Sequence, residues 1–215
     1  MTPPVLQISI WIMLPFSLLL PIIAALFCYR KYNPAYMRTF PIYCVLNALA
    51  DVSSVTKYHM IPIIPIFTAL ETIYFAYFLT RVLRSRAVKV ILWCLVVPFA
   101  IAVMYYSFSK DSYFTYYWLI ISECLILIFP CCFYFIEALK RPKPFKPSKE
   151  PALWMVTGIL YYFLLLLFTY LIADYLWANN EHYQAQEVYS VNNYAQFVSF
   201  SLYIYAMLCR RSLSY

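Results

Sequence analysis

Glycine is almost absent from this chain: Gly158 is the single glycine among 215 residues. Membrane helices that pack through GxxxG motifs need small residues at every fourth position. A bundle held together by such motifs is therefore excluded. We expect helix contacts through Ala, Ser and Cys instead, with large aromatic side chains filling the space. The fourteen prolines, rather than glycine, are the residues that can kink these helices.

Charged residues are scarce as well. They make up 12% of the chain, and the mean hydropathy is +0.71. Soluble domains carry roughly 25% charged residues. Every polar gap between the apolar stretches is short. The sequence therefore predicts that most of the surface faces lipid, and that residues 1–215 form one all-α integral membrane domain without a soluble domain.

Signals for processing, metal binding or a cofactor are missing. The N-terminal stretch "MTPPVLQISIWIMLPF" has neither a basic region nor a small-residue cleavage site, so we expect its apolar part to be retained as a first span. The seven cysteines show no CxxC or Cys/His spacing, and His59 and His182 are too few for a zinc site. We predict cysteines that pack in the interior, with no metal and no cofactor.

Seven apolar stretches are long enough to cross a membrane, which takes about 20 mostly apolar residues. We predict a seven-transmembrane-helix bundle with spans at 6–29, 39–57, 61–82, 88–108, 114–138, 152–177 and 188–209. The first, fourth, fifth and sixth spans are the clearest. The second contains the polar residues Asn47 and Asp51. The seventh contains Asn193 and Gln196.

Lysine and arginine are distributed unevenly over the connections between these spans. Fourteen of the sixteen fall in the first, third and fifth connections and in the C-terminal tail, while only Lys57 and Lys110 fall on the other side. Short basic loops stay cytoplasmic. The asymmetry predicts an outside N-terminus and a cytoplasmic C-terminus. It also explains the net charge of +7: the basic residues orient the protein in the membrane and are attracted by anionic lipids, and they do not indicate nucleic-acid binding.

A weak internal repeat relates the first and last three spans. Pro21 and Pro130 lie at similar depths in the first and fifth spans, and each is followed by a basic pair. Each basic pair leads to a proline that opens the next span, Pro41 or Pro151. One interpretation is a 3+1+3 architecture with parallel three-helix repeats, as several transporter folds have. The other is coincidence in a proline-rich chain, and both stay open.

Two acids lie within the predicted spans. Glu71 is in the middle of "IFTALETIYFAYFLTRV", and the nearest basic residue, Arg81, follows ten positions later. Glu123 lies in the outer half of the fifth span. A charge at the bilayer centre costs about 2.5–3.5 kcal/mol on insertion scales. Both side chains should therefore face the bundle interior, where they are protonated, hydrogen-bonded to a partner, or wetted from an outward-facing cavity.

Polar side chains of the second, third, fifth and seventh spans fall at matching depths in the outer half of the membrane. The candidate ligand- or proton-binding residues are Glu71, Glu123, Asp51, Asn47, Tyr74, Asn193 and Gln196. In one interpretation they line a pocket open to the outside, which binds a polar or cationic ligand or carries a proton. In the other, Glu71 is a neutral acid, hydrogen-bonded to Asn47 or to a tyrosine, that locks helix packing. No catalytic residue stands out.

Three stretches carry a resemblance: "EPALWMVTGILYYFLL", "TALETIYFAYFL" and "LYIYAMLCRR". Together they resemble a group of small uncharacterised seven-transmembrane proteins common in Bacteroidota. In that group a proline and a tryptophan precede a Thr-Gly pair, here Pro151, Trp154, Thr157 and Gly158, and a glutamate in the third span matches Glu71. The resemblance implies a bacterial inner-membrane location, and it implies no chemistry.

Two other groups of seven-span proteins fit less well. Sugar exporters and PQ-loop proteins share the outside N-terminus and parallel repeats, but no Pro-Gln dipeptide occurs in this chain. Microbial rhodopsins attach retinal through a lysine of the last span, and residues 188–209 contain no lysine. Retinal binding is therefore excluded.

Three functional hypotheses follow. The first is a membrane sensor or signalling subunit, which binds an unknown small molecule or lipid on its outer side and contacts a membrane or cytoplasmic protein through its basic inner loops. The second is a small transporter, coupled to protons through Glu71. The third is a membrane enzyme that modifies lipids, although no nucleophile or metal cluster supports it.

Overall fold

The computed structural model describes Ile23, Leu26 and residues 39–55, 63–107, 113–140 and 150–209. Every regular element among these residues is an α-helix. The six helices are α1 (Phe40–Val55), α2 (Ile63–Val82), α3 (Arg86–Ser107), α4 (Tyr113–Leu139), α5 (Pro151–Ala178) and α6 (His182–Leu208). They agree within a few residues with the second to seventh predicted spans, except that α6 begins six residues earlier than predicted.

The remaining predictions about architecture fall partly outside the described residues. The first predicted span, 6–29, lies outside the described residues apart from Ile23 and Leu26. The parallel repeat needs that span as its first helix, so it stays a prediction.

Among the described residues, three helical segments are long and apolar enough to cross a membrane: Arg86–Tyr106, Tyr117–Leu139 and Pro151–Ala178. They correspond to the fourth, fifth and sixth predicted spans, which are among the clearest spans in the sequence. The segment Phe40–Ala50 of α1 is apolar but shorter. The described part of the chain is thus helical, with three helices that could cross a membrane by their length and composition.

The outer faces of these helices are apolar as well as the interior. Large apolar side chains are exposed on the outer faces, for example Ile101 with 65% and Val90 with 61% of its surface accessible. The interior is mainly apolar and also contains a smaller set of buried polar side chains: Asn47, Thr68, Glu71, Thr72, Glu123, Thr169 and Ser199. An apolar exterior is what contact with lipid tails requires, since lipid offers no hydrogen-bond partners.

Helix α2 lies at the centre of the described bundle. It packs against α1, α3 and α4, and touches α5. Its side chains Phe75, Ala76, Phe78 and Leu79 are fully buried. Because α2 is packed in this way, a polar residue on it meets another helix unless it lies on the exposed face of Leu70 and Ile73.

The single glycine lies where α5 and α6 approach most closely. A Cβ atom placed on Gly158 would lie 2.5 Å from Cε1 of the buried Tyr203 and 3.3 Å from the carbonyl oxygen of Ser199. The Ser199 hydroxyl donates a hydrogen bond to the Gly158 carbonyl over 3.1 Å. One glycine therefore provides the close helix contact for which other membrane proteins use repeated small residues.

The turn between α2 and α3 is tied to the end of α4 by one carboxylate. The backbone N–H groups of Arg84 and Ser85 donate to Glu137 Oε2 and Oε1 over 2.8 and 2.9 Å. The Ser85 hydroxyl oxygen in turn accepts from the N–H of Val88. These acceptors satisfy N–H groups that the start of a helix leaves without an intrahelical partner. Glu137 is thereby explained as a structural residue.

Replacement of Gly158 with alanine should destabilise the protein. The added methyl group overlaps the Tyr203 ring, and overpacking of this kind typically costs about 1–3 kcal/mol. The measurement is unfolding in lipid nanodiscs, followed by intrinsic fluorescence. Ser201→Ala, on the exposed side of α6, is the control and should leave stability nearly unchanged. A stability of Gly158→Ala equal to that of the unmodified protein would contradict the close contact.

Glu137→Gln should weaken the junction of α2, α3 and α4. Glutamine keeps one acceptor oxygen and loses the second along with the negative charge near the α3 N-terminus, so we expect a loss of about 1 kcal/mol. Glu187→Gln on the exposed surface of α6 removes the same charge elsewhere and serves as the control. Equal losses of stability for the two variants would show that the two backbone hydrogen bonds of Glu137 contribute nothing specific.

Candidate functional site

The first element of the site is a phenol–carboxyl hydrogen bond between α1 and α2. The hydroxyl of Tyr43 donates to Oε1 of Glu71 over 2.8 Å. Glu71 is only 5% exposed, and Tyr43 is buried as well. The acid that the sequence placed in the middle of an apolar helix therefore has a partner, and that partner is a tyrosine.

The second element joins α2 to α4. Oγ1 of Thr72 lies 2.6 Å from Oε1 of Glu123, and it also lies 2.7 Å from the carbonyl oxygen of Thr68 one turn earlier. Glu123 is 2% exposed, and Thr68 and Thr72 are buried too. Both short contacts lie in the range of O–H···O hydrogen bonds.

The two elements form one buried site because Glu71 and Thr72 are consecutive. Successive side chains of a helix point about 100° apart. Glu71 therefore reaches α1 while Thr72 reaches α4, and the site links three helices.

Aromatic rings surround the Glu71 side of the site. The Tyr43 ring stacks on that of Tyr74, with centroids 5.0 Å apart and an interplanar angle of 8°. It also lies near-parallel to Phe200 of α6 at 6.3 Å, and tilted against Phe75 at 4.8 Å. Such arrangements fall in the distance range of favourable aromatic pairs. The hydroxyl that binds Glu71 is thus held in place by ring contacts from α2 and α6.

Phe40, the first residue of α1, extends this aromatic cluster. Its ring is 5.3 Å from that of Tyr203 and 6.5 Å from that of Phe200, both on α6. Phe75 continues the cluster to α5, where it meets Phe163 edge-on at 5.7 Å. The position of α1 relative to α6 therefore depends on the same rings that pack around Tyr43.

The structure brings together some of the predicted site residues. Glu71 is buried on α2, Glu123 is buried on α4 and contacts α2 through Thr72, Asn47 is buried on α1, and Tyr74 packs within the aromatic cluster. On α6, Gln196 is half-buried.

Two predicted residues contribute nothing to this picture. Asn193 is exposed and does not take part in the buried site. The side chain of Asp51 lies outside the described side chains, although its backbone belongs to α1.

Sequence reasoning missed Tyr43 and Thr72, the two hydroxyl groups that contact the acids. A signal for Tyr43 was present, since it lies one turn before Asn47 and so shares its helix face. The signal for Thr72 is weaker: Thr68 and Thr72 lie one turn apart and so share a polar helix face.

Basic residues are absent from the middle of all six described helices. Within these helices Lys and Arg occur only at Arg81, Arg86 and Lys89, close to helix ends. In the part of the chain that the structure describes, no group of three or more His, Cys, Asp or Glu residues is placed to hold a metal ion. The site is thus acidic, aromatic and rich in hydroxyl groups.

Comparison with known proteins adds no assignment. The chain matches no protein-family model, no curated protein and no solved structure.

Removal of the Tyr43 hydroxyl should destabilise the bundle. Interhelical hydrogen bonds in membrane proteins contribute about 0.6 kcal/mol on average and up to about 1.7 kcal/mol, and we expect Tyr43→Phe to lose an amount in this range. The effect of Tyr43→Phe should disappear in a Glu71→Leu background, where no acceptor faces the hydroxyl, if the two groups act as a pair. Unfolding in nanodiscs is the measurement.

The chain offers a matched control for this variant. The hydroxyl of Tyr183 donates to Glu187 over the same 2.8 Å, but this pair is exposed on α6. Tyr183→Phe should change stability by less than about 0.5 kcal/mol. Equal effects of the two substitutions would contradict a special role for the buried pair.

Proposed function

We propose that the chain is a multi-pass protein of a bacterial inner membrane with seven transmembrane helices, an outside N-terminus and a cytoplasmic C-terminus. The three long apolar segments and the large apolar side chains exposed on the outer faces support a membrane location. The excess of Lys and Arg on one side supports the orientation. The resemblance of its motifs to a group of bacterial seven-span proteins supports the inner membrane.

We propose further that the protein is a sensor or signalling subunit that binds a small cationic ligand at Glu71. The observation that carries this proposal is a buried carboxyl hydrogen-bonded to a tyrosine that packs within a cluster of aromatic rings, in helices whose middle sections contain no basic residue. Aromatic faces attract ammonium groups, the more so when desolvated. A carboxyl group supplies the opposite charge.

In the described arrangement the Tyr43 hydroxyl is hydrogen-bonded to Glu71. A cationic ligand would displace that hydroxyl and insert between the rings. Because Tyr43 and Phe40 also contact α6, such a displacement would shift α1 relative to α6. The basic inner loops are the surface through which a membrane or cytoplasmic partner would receive the change.

A second candidate is a small transporter coupled to protons. One observation favours it: Glu71 belongs to the first predicted three-helix repeat and Glu123 to the second, and Glu123 contacts Thr72, the residue that follows Glu71 on α2. Transporters built from repeats bind substrate and coupling ions near the midplane, at the interface between the repeats. In this alternative, Glu71 would take up and release the proton that drives transport.

Binding of a cation at Glu71 should stabilise the protein against unfolding. The probes are tetramethylammonium and butylammonium, added to the full-length protein in nanodiscs. At 100-fold excess over Kd, binding adds about 2.7 kcal/mol, and each kcal/mol raises Tm by about 2–4 °C for a chain of this size. Glu71→Gln should abolish the shift, whereas Glu187→Gln should retain it. A shift that persists in Glu71→Gln, or none with either probe, would refute cation binding at this site.

Flux measurements separate the two candidates. The protein is reconstituted into liposomes that contain a pH-sensitive dye, and the same probes are added outside. Flux in unmodified protein that is lost in Glu71→Gln and absent from empty liposomes would support the transporter. Probe binding without flux of probe or proton would support the sensor.

A further inference from the structure

The hydroxyl of Thr72 faces two acceptors and carries only one hydrogen. The Thr68 carbonyl oxygen, at 2.7 Å, can only accept. The Glu123 carboxyl oxygen, at 2.6 Å, accepts when ionised but donates when protonated. A threonine hydroxyl donates one hydrogen bond and accepts up to two. Two short contacts therefore need two hydrogens, one of which must come from outside Thr72.

Other helices of the same chain show where the Thr72 hydrogen lies. Thr157, Ser122 and Ser201 each donate to the carbonyl one turn earlier, over 2.8, 2.8 and 2.9 Å. The contact of Thr72 with Thr68 is as short as these ordinary bonds from a hydroxyl to the preceding turn. If its hydrogen pointed at Glu123 instead, two oxygen atoms would face each other at 2.7 Å with no hydrogen between them.

We infer that Glu123 is a proton-binding site: its carboxyl group carries a proton and donates it to the Thr72 hydroxyl, which donates in turn to the Thr68 carbonyl. The chain of hydrogen bonds then runs in one direction, and every contact has its hydrogen. The surroundings agree, because Glu123 is 2% exposed in an apolar helix, where a neutral acid avoids the cost of a buried charge.

The neighbouring acid differs from Glu123 in this respect. Glu71 accepts from the Tyr43 hydroxyl, and that contact alone needs no hydrogen from the carboxyl. A second negative charge nearby would be repelled in a medium of low dielectric constant. The geometry thus assigns a proton to Glu123 and leaves Glu71 as the acceptor, which is what cation binding at Glu71 requires. The assignment to Glu123 does not depend on that proposed function.

Loss of the proton would change a helix contact. Without it, the single Thr72 hydrogen would have to serve either Thr68 or Glu123, and the contact between α2 and α4 would be weakened. The proton therefore acts as a ligand that holds the two helices together.

Infrared spectroscopy tests the assignment directly. The carbonyl stretch of a protonated carboxylic acid is separate from that of a carboxylate. At neutral pH the full-length protein in nanodiscs should show such a band, which should shift in D2O and vanish in Glu123→Gln. It should persist in Glu71→Gln and in the surface control Glu187→Gln. Absence of the band in the unmodified protein, or its loss in Glu71→Gln rather than Glu123→Gln, would overturn the inference.

Variants of Thr72 keep the test valid if Glu123→Gln does not fold. Thr72→Val removes the hydroxyl that accepts from Glu123, so the band should move to higher frequency as the acid loses its partner. Thr72→Ser keeps the hydroxyl and should leave the band in place. A band unaffected by Thr72→Val would show that the protonated acid is not the one beside Thr72, and would equally overturn the inference.

Discussion

The requirement that buried polar groups find hydrogen-bond partners governs this bundle. A polar group that is buried without a hydrogen-bond partner costs free energy, so the polar side chains in the interior must satisfy one another. Helix α2 contributes to both acid contacts, through Glu71 towards α1 and through Thr72 towards α4. The relative rotation of three helices therefore follows from two hydroxyl groups that reach two carboxyl groups. Weak individual bonds suffice for this, because alternative rotations would leave an acid facing lipid.

The features predicted well from the sequence are those that depend on local composition. Runs of apolar residues gave the positions of six helices within a few residues for most ends, and the isolation of Glu71 from basic residues gave its burial. The partners of the acids could not be predicted in the same way. Tyr43 lies 28 positions from Glu71, and Thr72 lies 51 positions from Glu123. Such pairs depend on how each helix is rotated, which near-uniform hydrophobicity leaves open. Asn193 is an example. The sequence placed it at the same membrane depth as the acids, but it could not show that the side chain is exposed on α6.

The scarcity of glycine has a consequence for motion. With Gly158 engaged against Tyr203, the described helices contain no glycine that could act as a hinge. The aromatic cluster fills the centre with large rings, and packed interiors switch between discrete arrangements rather than deform continuously. A change of state in such a protein is therefore expected at side chains, by exchange of a ring or a hydroxyl at the acids, and not by bending of whole helices. Pro98 and Pro130, inside α3 and α4, are the remaining points where those helices can bend.

The two interpretations of Glu71, a packing lock and a binding site, are compatible once the Tyr43 hydrogen bond is taken into account. A ligand has to displace that hydroxyl. The observed affinity of the ligand is therefore reduced by the free energy of the hydrogen bond between Tyr43 and Glu71. With about 0.6–1.7 kcal/mol for such a bond in a membrane, the reduction is about 3- to 20-fold, at 1.4 kcal/mol for each factor of ten. A neutral molecule that offers only one hydrogen bond would replace Tyr43 without net gain. A cation gains the attraction of the carboxylate and of the rings in addition. The hydrogen bond between Tyr43 and Glu71 therefore contributes to selectivity for charge. Only a ligand that interacts more strongly with Glu71 than the phenol does can displace the Tyr43 hydroxyl.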